Sequence, residues 1–347
     1  MSLHVEVLSG LGEKAPAAIM VEAEGRRLLL DAGGALHPGQ SMAWAEGLDV
    51  DAVMIGHDHF DHIGGVSALP AELPLYCTTA VAAALPSDRE WRALPERGQC
   101  CIAGIPVTTG QAGHSLGGVW LHLGIEEGVF YSGDACIESL LFPFDEPPPA
   151  RVALLDASYG VYDTPQAQCR EAIAQRLTEP WVLPVPASGR ALEMAVWLDA
   201  QAERLGMSWN MDHSCRAGLE ALLRLPRALR REGYDVAIRR LLDSSRTDSP
   251  MLWLVEDRDD DPEDWPAHRL LHTGYLTPRR QRQRAAGEID WRRWNVHLRL
   301  SHMRALVRQL GAGQVFPLFT SEVREVSESL AASKALALSE EDGNAAG

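Results

Sequence analysis

Lysine is almost absent from this sequence. Only Lys14 and Lys334 occur among 347 residues, so arginine carries nearly all of the positive charge. The formal net charge at pH 7 is −16. This excludes a passive nucleic-acid coat protein, whose affinity comes from neutralising phosphates over its whole surface. It does not exclude an enzyme with a locally basic cleft, for which arginine is the better bidentate phosphate ligand.

Two other absences narrow the class of protein. None of the six cysteines stands in a Cys-x-x-Cys pair, which argues against a zinc ribbon or a disulfide framework. No run of about 18 apolar residues occurs, so we expect no transmembrane helix and no membrane association. The N-terminal segment alternates like a β-strand and lacks the layout of a signal peptide. We therefore expect a cytoplasmic protein.

Residues with metal-binding or acid–base chemistry follow strand-like segments in the first half of the chain. The length of 347 residues favours two domains, or one domain with a large insertion. Five apolar segments end at or just before a histidine or an aspartate: Asp31, the cluster from His57 to His62, His114, Asp134 and Asp156. Layered α/β folds place their chemistry at the carboxyl ends of strands, so we expect these residues to lie together.

From about residue 166 the pattern changes to alternating helical and strand-like segments. The stretch from Arg279 to Arg293 is strongly basic. The acidic run from Glu256 to Asp264 is typical of a solvated loop. Residues 327–347 are rich in alanine and glutamate and predict a helix that ends in a disordered tail.

The segment HDHFDH, at residues 57–62, predicts a metal site. His57 and His59 are two residues apart on an extended segment, so both imidazoles point to one side. Asp61 and His62 project toward a second, nearby position. Imidazole and carboxylate ligands suit zinc, manganese or iron, and this mixed set fits one or two divalent ions. A catalytic ion lowers the pKa of a bound water toward about 7, which indicates hydrolysis.

Together with three other segments, HDHFDH resembles the signature of the metallo-β-lactamase superfamily. The other segments, in chain order, are LLLDAGG, GHSLGG and YSGDA. By that resemblance one ion has the ligands His57, His59 and His114. A second ion has the ligands Asp61 and His62, and Asp134 bridges the two. Asp31 is then a structural residue that braces the metal loop. We expect Zn²⁺ as the cofactor, as one or two ions with Mn²⁺ as an alternative, and a catalytic role for Asp61.

The rest of the chain resembles the β-CASP branch of that superfamily, which includes ribonuclease J, the polyadenylation endonuclease and the DNA cross-link repair exonucleases. LLDASYG resembles motif A with Asp156 as its acid, and LSHMRALVRQLGAGQVFPLF resembles motif B with His302 as its histidine. The resemblance implies a four-layer αββα metallo-β-lactamase sandwich with an inserted α/β cap domain. Residues 1–165 and 290–347 would form the first domain, and residues 166–289 the cap.

Phosphodiester hydrolysis would give these positions distinct roles. It needs an activated water, stabilisation of charge on the phosphoryl oxygens and a proton for the leaving oxygen. The metal ions supply the first two, and His302, oriented by Asp156, is expected to supply the proton. In the cap, VPASGRALEMAVWL would place Ser188, Gly189 and Arg190 at a helix N-terminus that binds a phosphate. The alternative is an ordinary N-cap with a surface arginine.

One position departs from the RNA-processing members of the branch. Where they carry a motif C histidine that completes the second metal site, this chain has Phe319. A phenyl ring cannot ligate zinc, so the second site is predicted to be weak or empty. The DNA-repair members also carry an apolar residue at this position, which favours DNA as the substrate. By contrast, the glycine–arginine turn of the cap resembles the RNA-processing members. His272 or His297 is an alternative source of a ligand, which we do not favour.

The leading hypothesis is therefore a metal-dependent phosphodiesterase, a nuclease that acts on DNA or RNA. Nucleic acid is the expected partner, and the sequence leaves a homodimer open. One alternative is a small-molecule hydrolase, such as a lactonase or thioesterase, which the acidic net charge favours and the basic cap segments oppose. The other is a non-catalytic subunit of a nucleic-acid processing complex, which the intact HDHFDH segment opposes.

Overall fold

The computed structural model describes residues 3–225, 230–244, 246–258 and 261–332. Within these ranges three β-sheets and the helices around them form an α/β structure. None of the helices in these ranges combines the length and the apolar character that a membrane span requires.

The first sheet has six strands in the order of the sequence. They are β1 (His4–Ser9), β2 (Ala18–Ala23), β3 (Arg26–Leu30), β4 (Ala52–Met54), β5 (Leu75–Cys77) and β6 (Arg92–Ala93). Strands β1 to β3 are antiparallel, and the remaining pairs are parallel. Parallel strands need longer connections, and these contain the short helices α1 (Phe60–Ile63) and α2 (Thr79–Ala82).

The second sheet also has six strands, in the order β17-β11-β10-β9-β8-β7. Their ranges are β7 (Gly98–Ile102), β8 (Ile105–Gln111), β9 (Val119–Leu123), β10 (Val129–Tyr131), β11 (Val152–Asp156) and β17 (Gln314–Leu318). Strands β7 to β10 are antiparallel, whereas β10, β11 and β17 are parallel. The last strand of the chain therefore returns beside β11.

These two sheets pack face to face. One core between them combines Ile19 and Leu28 of the first sheet with Leu121 and Leu154 of the second. On the outer face of the second sheet, helix α8 (Leu300–Leu310) buries an apolar stripe. A separate cluster around α1 and α2 covers the outer face of the first sheet. The result is the four-layer αββα arrangement of a metallo-β-lactamase fold, as the sequence predicts.

The third sheet lies entirely between residues 181 and 291. Its strands are all parallel and run in the order β13-β14-β12-β15-β16. Their ranges are β12 (Trp181–Val185), β13 (Trp209–Met211), β14 (Leu252–Glu256), β15 (Arg269–His272) and β16 (Asp290–Trp291). The helices of this region are α3 (Gln166–Ala174), α4 (Arg190–Leu205), α5 (His213–Arg224), α6 (Tyr234–Asp243) and α7 (Pro278–Ala285). All five residues of β12 are buried, as expected of a strand covered on both faces.

The strand ends place the candidate site residues at one edge of the sandwich. Asp31 directly follows β3, His57 follows β4 by three residues, and Asp156 is the last residue of β11. His114 and Asp134 follow β8 and β10 in the same way. The prediction that strands end at or just before these residues is confirmed.

The chain continues beyond β17 into a helical segment at residues 323–332. It buries Val326 and Leu330 against the cluster that also contains α8. Residues 333–347, which include the predicted tail, lie outside the described residues.

Candidate metal centre

Four side chains converge on one point at the edge of the sandwich. They are His57, His59, His114 and Asp134, and we call them the metal cluster. One donor atom from each lies within 4.8 Å of the others. Asp134 Oδ2 is 3.8 Å from His57 Nε2 and 3.6 Å from His114 Nε2. Three imidazoles and one carboxylate form a donor set that zinc favours.

The hydrogen bonding and protonation of the cluster fit a metal ion. Both ring nitrogens of His57 and Nε2 of His59 are buried, yet none has a hydrogen-bond partner among the described residues. Such atoms are costly unless an ion or water satisfies them. Burial and the neighbouring histidines lower the pKa of His57 and His59 well below the usual value. Burial also lowers the pKa of His114 to about 4. These imidazoles are therefore neutral at pH 7, the form that binds a metal.

Neighbouring backbone lies close to two of these ligands. His114 Nδ1 lies 2.6 Å from the carbonyl oxygen of Val296, so Nδ1 donates and Nε2 keeps its lone pair for the cluster. Gly189, at the start of α4, packs against the same ligands. A Cβ at Gly189 would lie 3.1 Å from the carbonyl oxygen of His114 and 3.6 Å from His59 Nε2. The N-terminus of α4 therefore lies directly against the metal cluster, where its amide groups favour an anion.

Asp31 holds the metal loop from beneath. It adopts a positive φ of 60° and is fully buried. Its Oδ1 accepts a hydrogen bond from the Gly56 amide at 2.7 Å. Its Oδ2 accepts hydrogen bonds from Tyr131 at 2.5 Å and from His62 Nδ1 at 2.7 Å. Asp31 thus sets the orientation of the His62 ring, in agreement with a structural role.

The predicted ligands of the second ion have an additional neighbour, Lys14. Asp61, His62 and Asp134 cluster as expected, with His62 Nε2 3.3 Å from Asp134 Oδ1. The ammonium group of Lys14, from the loop between β1 and β2, lies 2.7 Å from Asp61 Oδ2 and 3.6 Å from Asp134 Oδ2. The ring of Phe319 lies 5.2 Å from that of His62. Lys14 was not among the predicted site residues, and its only signal in the sequence was the rarity of lysine.

Asp156 pairs with His297, so the predicted pair of Asp156 and His302 is wrong. His297 Nδ1 lies 2.8 Å from Asp156 Oδ2 and 3.6 Å from Asp134 Oδ2. Asp156 is fully buried and also accepts hydrogen bonds from the backbone amides of Ala135 and Ser158. A histidine held in this way presents its other ring nitrogen away from the carboxylate.

His302 has a different environment. It is the third residue of α8, and its Nε2 lies 3.0 Å from Nη2 of Arg299. Burial and the Arg299 guanidinium lower the pKa of His302. The first turn of α8 directs it toward Arg299 and Glu138, whereas His297 precedes the helix on the segment that crosses the metal cluster. The histidine that pairs with Asp156 is therefore His297, five residues before the predicted motif B histidine, His302.

Several of the other predicted residues line two adjacent cavities beside the metal cluster. Arg190 and His297 line both of them, whereas His272 lines the cavity of about 730 Å³ that contains part of the metal cluster. We call the second, of about 430 Å³, the arginine cavity. Its basic lining residues are Lys14, Arg190, Arg284 and Arg293. Glu322 is the one acidic residue among the described residues that line it.

Ser188 contacts residues close to the metal cluster and does not line the arginine cavity. Its carbonyl oxygen accepts a hydrogen bond from the Leu116 amide at 3.2 Å. Its side chain donates a hydrogen bond to Asp58. Burial raises the pKa of that carboxyl. Of the three predicted phosphate-binding residues, Arg190 is the one that lines both cavities.

Comparison with known proteins agrees with this geometry. Residues 26–195 match the family profile described as the beta-lactamase superfamily domain. This part of the chain therefore carries a beta-lactamase superfamily domain. The matched residues include the metal cluster and the start of α4.

Two relatives are transcription termination factors named FttA. The protein from Cenarchaeum symbiosum (strain A) is 27% identical over 251 residues, which covers 57% of this chain and 39% of the relative. The protein from Methanocaldococcus jannaschii is 26% identical over 248 residues, with the same coverage of both chains. This chain thus spans about two fifths of the length of these relatives. A ribonuclease Z from Halorubrum lacusprofundi is 38% identical over 74 residues, 20% of this chain and 24% of that protein.

A solved structure shares the fold over nearly the whole chain. It is the crystal structure of a protein of unknown function from Enterococcus faecalis V583, with a TM-score of 0.60 and 14% sequence identity. The match covers 94% of this chain and 96% of the other. At this identity the likeness concerns the fold alone.

Proposed function

We propose that this protein is a metal-dependent phosphodiesterase of the β-CASP type that hydrolyses DNA or RNA. The observation that carries the proposal is that the arginine cavity and the cavity at the metal cluster share lining residues. Lys14, Arg190, Tyr275 and His297 line both cavities. A substrate phosphate at the metal cluster would therefore have neighbouring phosphates beside basic side chains, in spite of the acidic net charge.

The arginines of this cavity are suited to bind phosphate. The Nε atoms of Arg190 and Arg293 are buried and make no hydrogen bond to any described residue. Burial lowers the pKa of Arg190, which reflects the cost of removing its charge from water. An anionic ligand would offset this cost. The Arg293 guanidinium is held 4.2 Å from the ring centre of Tyr159 and 4.4 Å from that of Tyr162, so little side-chain entropy remains to be lost on binding.

An exposed aromatic ring stands at the junction of the two cavities. Tyr275 is 48% exposed and lines both cavities. A base that stacks on an exposed ring gains roughly 1–3 kcal/mol without sequence preference. This supports a nucleic-acid substrate over a small lactone, which has no base to stack.

The geometry supports the following catalytic roles. The metal cluster would hold one Zn²⁺ or Mn²⁺ ion, which supplies an activated water and stabilises charge on the phosphoryl oxygens. His297 lies beside Asp134 and is oriented by Asp156, so we assign it the transfer of a proton to the leaving oxygen. His302, which pairs with Arg299, has no part in this assignment.

The cap and the relatives support the same assignment. We place the cap domain at residues 166–289, and it contributes Arg190, Tyr275 and Arg284 to the cavities. Relatives named as a transcription termination factor and a ribonuclease favour nucleic acid as the partner. A cytoplasmic location would fit such a partner.

A panel of labelled strands tests the proposal. Zinc- or manganese-loaded protein is incubated with single- and double-stranded DNA and RNA, each with a 5′-phosphate or a 5′-hydroxyl. We expect cleavage of at least one strand type, loss of cleavage on chelation, and none by the His59→Ala variant. No cleavage of any strand by metal-loaded protein would contradict the proposal. Turnover of a lactone or thioester in its place would identify a small-molecule hydrolase.

A further inference from the structure

We infer that this chain binds a single metal ion, at the metal cluster, and that the Lys14 ammonium group takes the place of a second ion beside Asp61 and His62. The inference concerns the number of ions and holds whether or not the protein cleaves nucleic acid.

The position of the ammonium group is that of a second cation. Lys14 Nζ lies 2.7 Å from Asp61 Oδ2 and 3.6 Å from Asp134 Oδ2, the two carboxylates that would bind a second ion. A zinc ion would need to lie about 2.0–2.2 Å from those oxygens. It would therefore overlap the ammonium group, and the two positive charges would repel each other at close range.

Lys14 is held in place by its own loop. Ala17, three residues later, donates its amide to the carbonyl oxygen of Asp61 at 2.7 Å. Gln40 donates its side-chain amide to the carbonyl oxygen of Lys14, also at 2.7 Å. At the start of the loop, the carbonyl oxygen of Gly10 accepts a hydrogen bond from the Phe319 amide at 2.6 Å. The loop is thus tied to the metal loop on one side and to the end of β17 on the other.

Phe319 makes the surroundings suitable for an ammonium ion and unsuitable for zinc. Its ring lies 5.1 Å from Lys14 Nζ, within the range of a cation–π contact, and it offers no lone pair. The ring is buried against Gly10, where an added Cβ would lie 2.8 Å from it. An aromatic ring and two carboxylates stabilise an ammonium group, whereas zinc would lack its remaining ligand.

The charges in this group are consistent with a permanent ammonium ion. Burial disfavours the charged form of Lys14, but Asp134 and Asp61 together raise its pKa above the usual value. Burial likewise opposes ionisation of Asp61, but Lys14 lowers the pKa of that carboxyl to about 2. If the proposed function holds, the ammonium group also faces the substrate, because Lys14 lines both cavities.

Metal content per chain tests the inference. The wild-type protein, the Phe319→His variant and the Lys14→Ala/Phe319→His double variant are dialysed against the same buffered zinc solution and analysed by inductively coupled plasma mass spectrometry. We expect one zinc per chain for the wild type. Phe319→His should also hold one, because Lys14 still occupies the position, and histidine tolerates the positive φ of 63° at residue 319. The double variant should hold two.

Three outcomes would overturn the inference: two ions in the wild type, two in Phe319→His alone, or one in the correctly folded double variant. Lys334→Met changes the other lysine of the chain and should hold one ion, as the wild type does. Circular dichroism and thermal unfolding confirm that each variant is folded. If both variants fail to fold, two ions in the wild type would still overturn the inference.

Discussion

The Nδ1 atom of His297 lies 2.8 Å from Oδ2 of Asp156, and the residue before His297 binds a ligand of the metal cluster. That residue is Val296, whose carbonyl oxygen accepts a hydrogen bond from His114 Nδ1 at 2.6 Å. One short segment thus positions both a metal ligand and the histidine beside it. The segment therefore supports both His114 in the metal cluster and the proposed proton donor His297.

Replacing His297 should separate catalysis from metal binding. His297→Ala is expected to lower kcat by roughly 10²- to 10⁴-fold, because a positioned acid is lost. The zinc content should stay at the wild-type value, since His297 is outside the metal cluster. The matched control is His302→Ala, which removes a histidine on the same segment and should leave kcat within about threefold. Steady-state kinetics and metal analysis measure both, and a larger loss with His302→Ala would reverse the assignment.

Arg190 and Arg293 should contribute to substrate binding through phosphate contacts. Arg190→Gln and Arg293→Gln are each expected to raise KM several-fold. Each should also reduce the slope of log K against log salt by about one, the effect of losing one phosphate contact. Binding to single-stranded DNA and RNA over a salt series measures the slope. Arg26→Gln, at an exposed arginine on β3, is the control and should leave the slope unchanged. Unaltered slopes for both cavity variants would exclude these arginines as phosphate ligands.

Asp31 should contribute more to stability than an exposed aspartate near the same sheet. Asp31→Ala leaves the Gly56 amide, the Tyr131 hydroxyl and the His62 ring buried without their acceptor. We expect a loss of about 3–5 kcal/mol in the free energy of unfolding, measured by urea denaturation. Asp49→Ala removes an exposed ion pair with Arg27 and should cost less than about 1 kcal/mol. Equal losses in the two variants would argue against the bracing role.

The sequence predicted much of the metal cluster because its signal is local. The residues from His57 to His62 are adjacent, and His114 and Asp134 each follow a strand whose end lies at the same edge. Strand ends are predictable from apolar runs, so these ligands could be grouped before the structure was known.

The parts that were missed depend on contacts that the pattern does not contain. His297 and His302 are five residues apart on one segment, and only the start of α8 decides which of them faces Asp156. Lys14 stands alone in a glycine-containing loop, 47 positions before Asp61. No spacing rule connects the two, because the contact forms only when that loop crosses the metal loop.

The metal-free protein should be most stable near pH 6.5. Burial disfavours the charged form of His62, but Asp134, Asp31 and Asp61 raise its pKa to about 10. The folded state then binds more protons than the unfolded state between pH 6.5 and 10, so stability falls as the pH rises through this window. The pKa of His114 is lowered to about 4 by burial. The unfolded state therefore binds more protons between pH 6.5 and 4, and stability falls as the pH decreases there.

Urea denaturation of chelator-treated protein at a series of pH values measures the free energy of unfolding on both sides of the maximum. We call the decrease above pH 6.5 the alkaline arm and the decrease below it the acidic arm. Each histidine can contribute a slope of at most about 1.4 kcal/mol per pH unit. His62→Gln should flatten the alkaline arm and leave the acidic arm in place, because His62 is charged only in the folded state across the alkaline window. His4→Gln, at an exposed histidine of β1, is the control and should change neither arm. An alkaline arm that persists in His62→Gln would show that another group carries it.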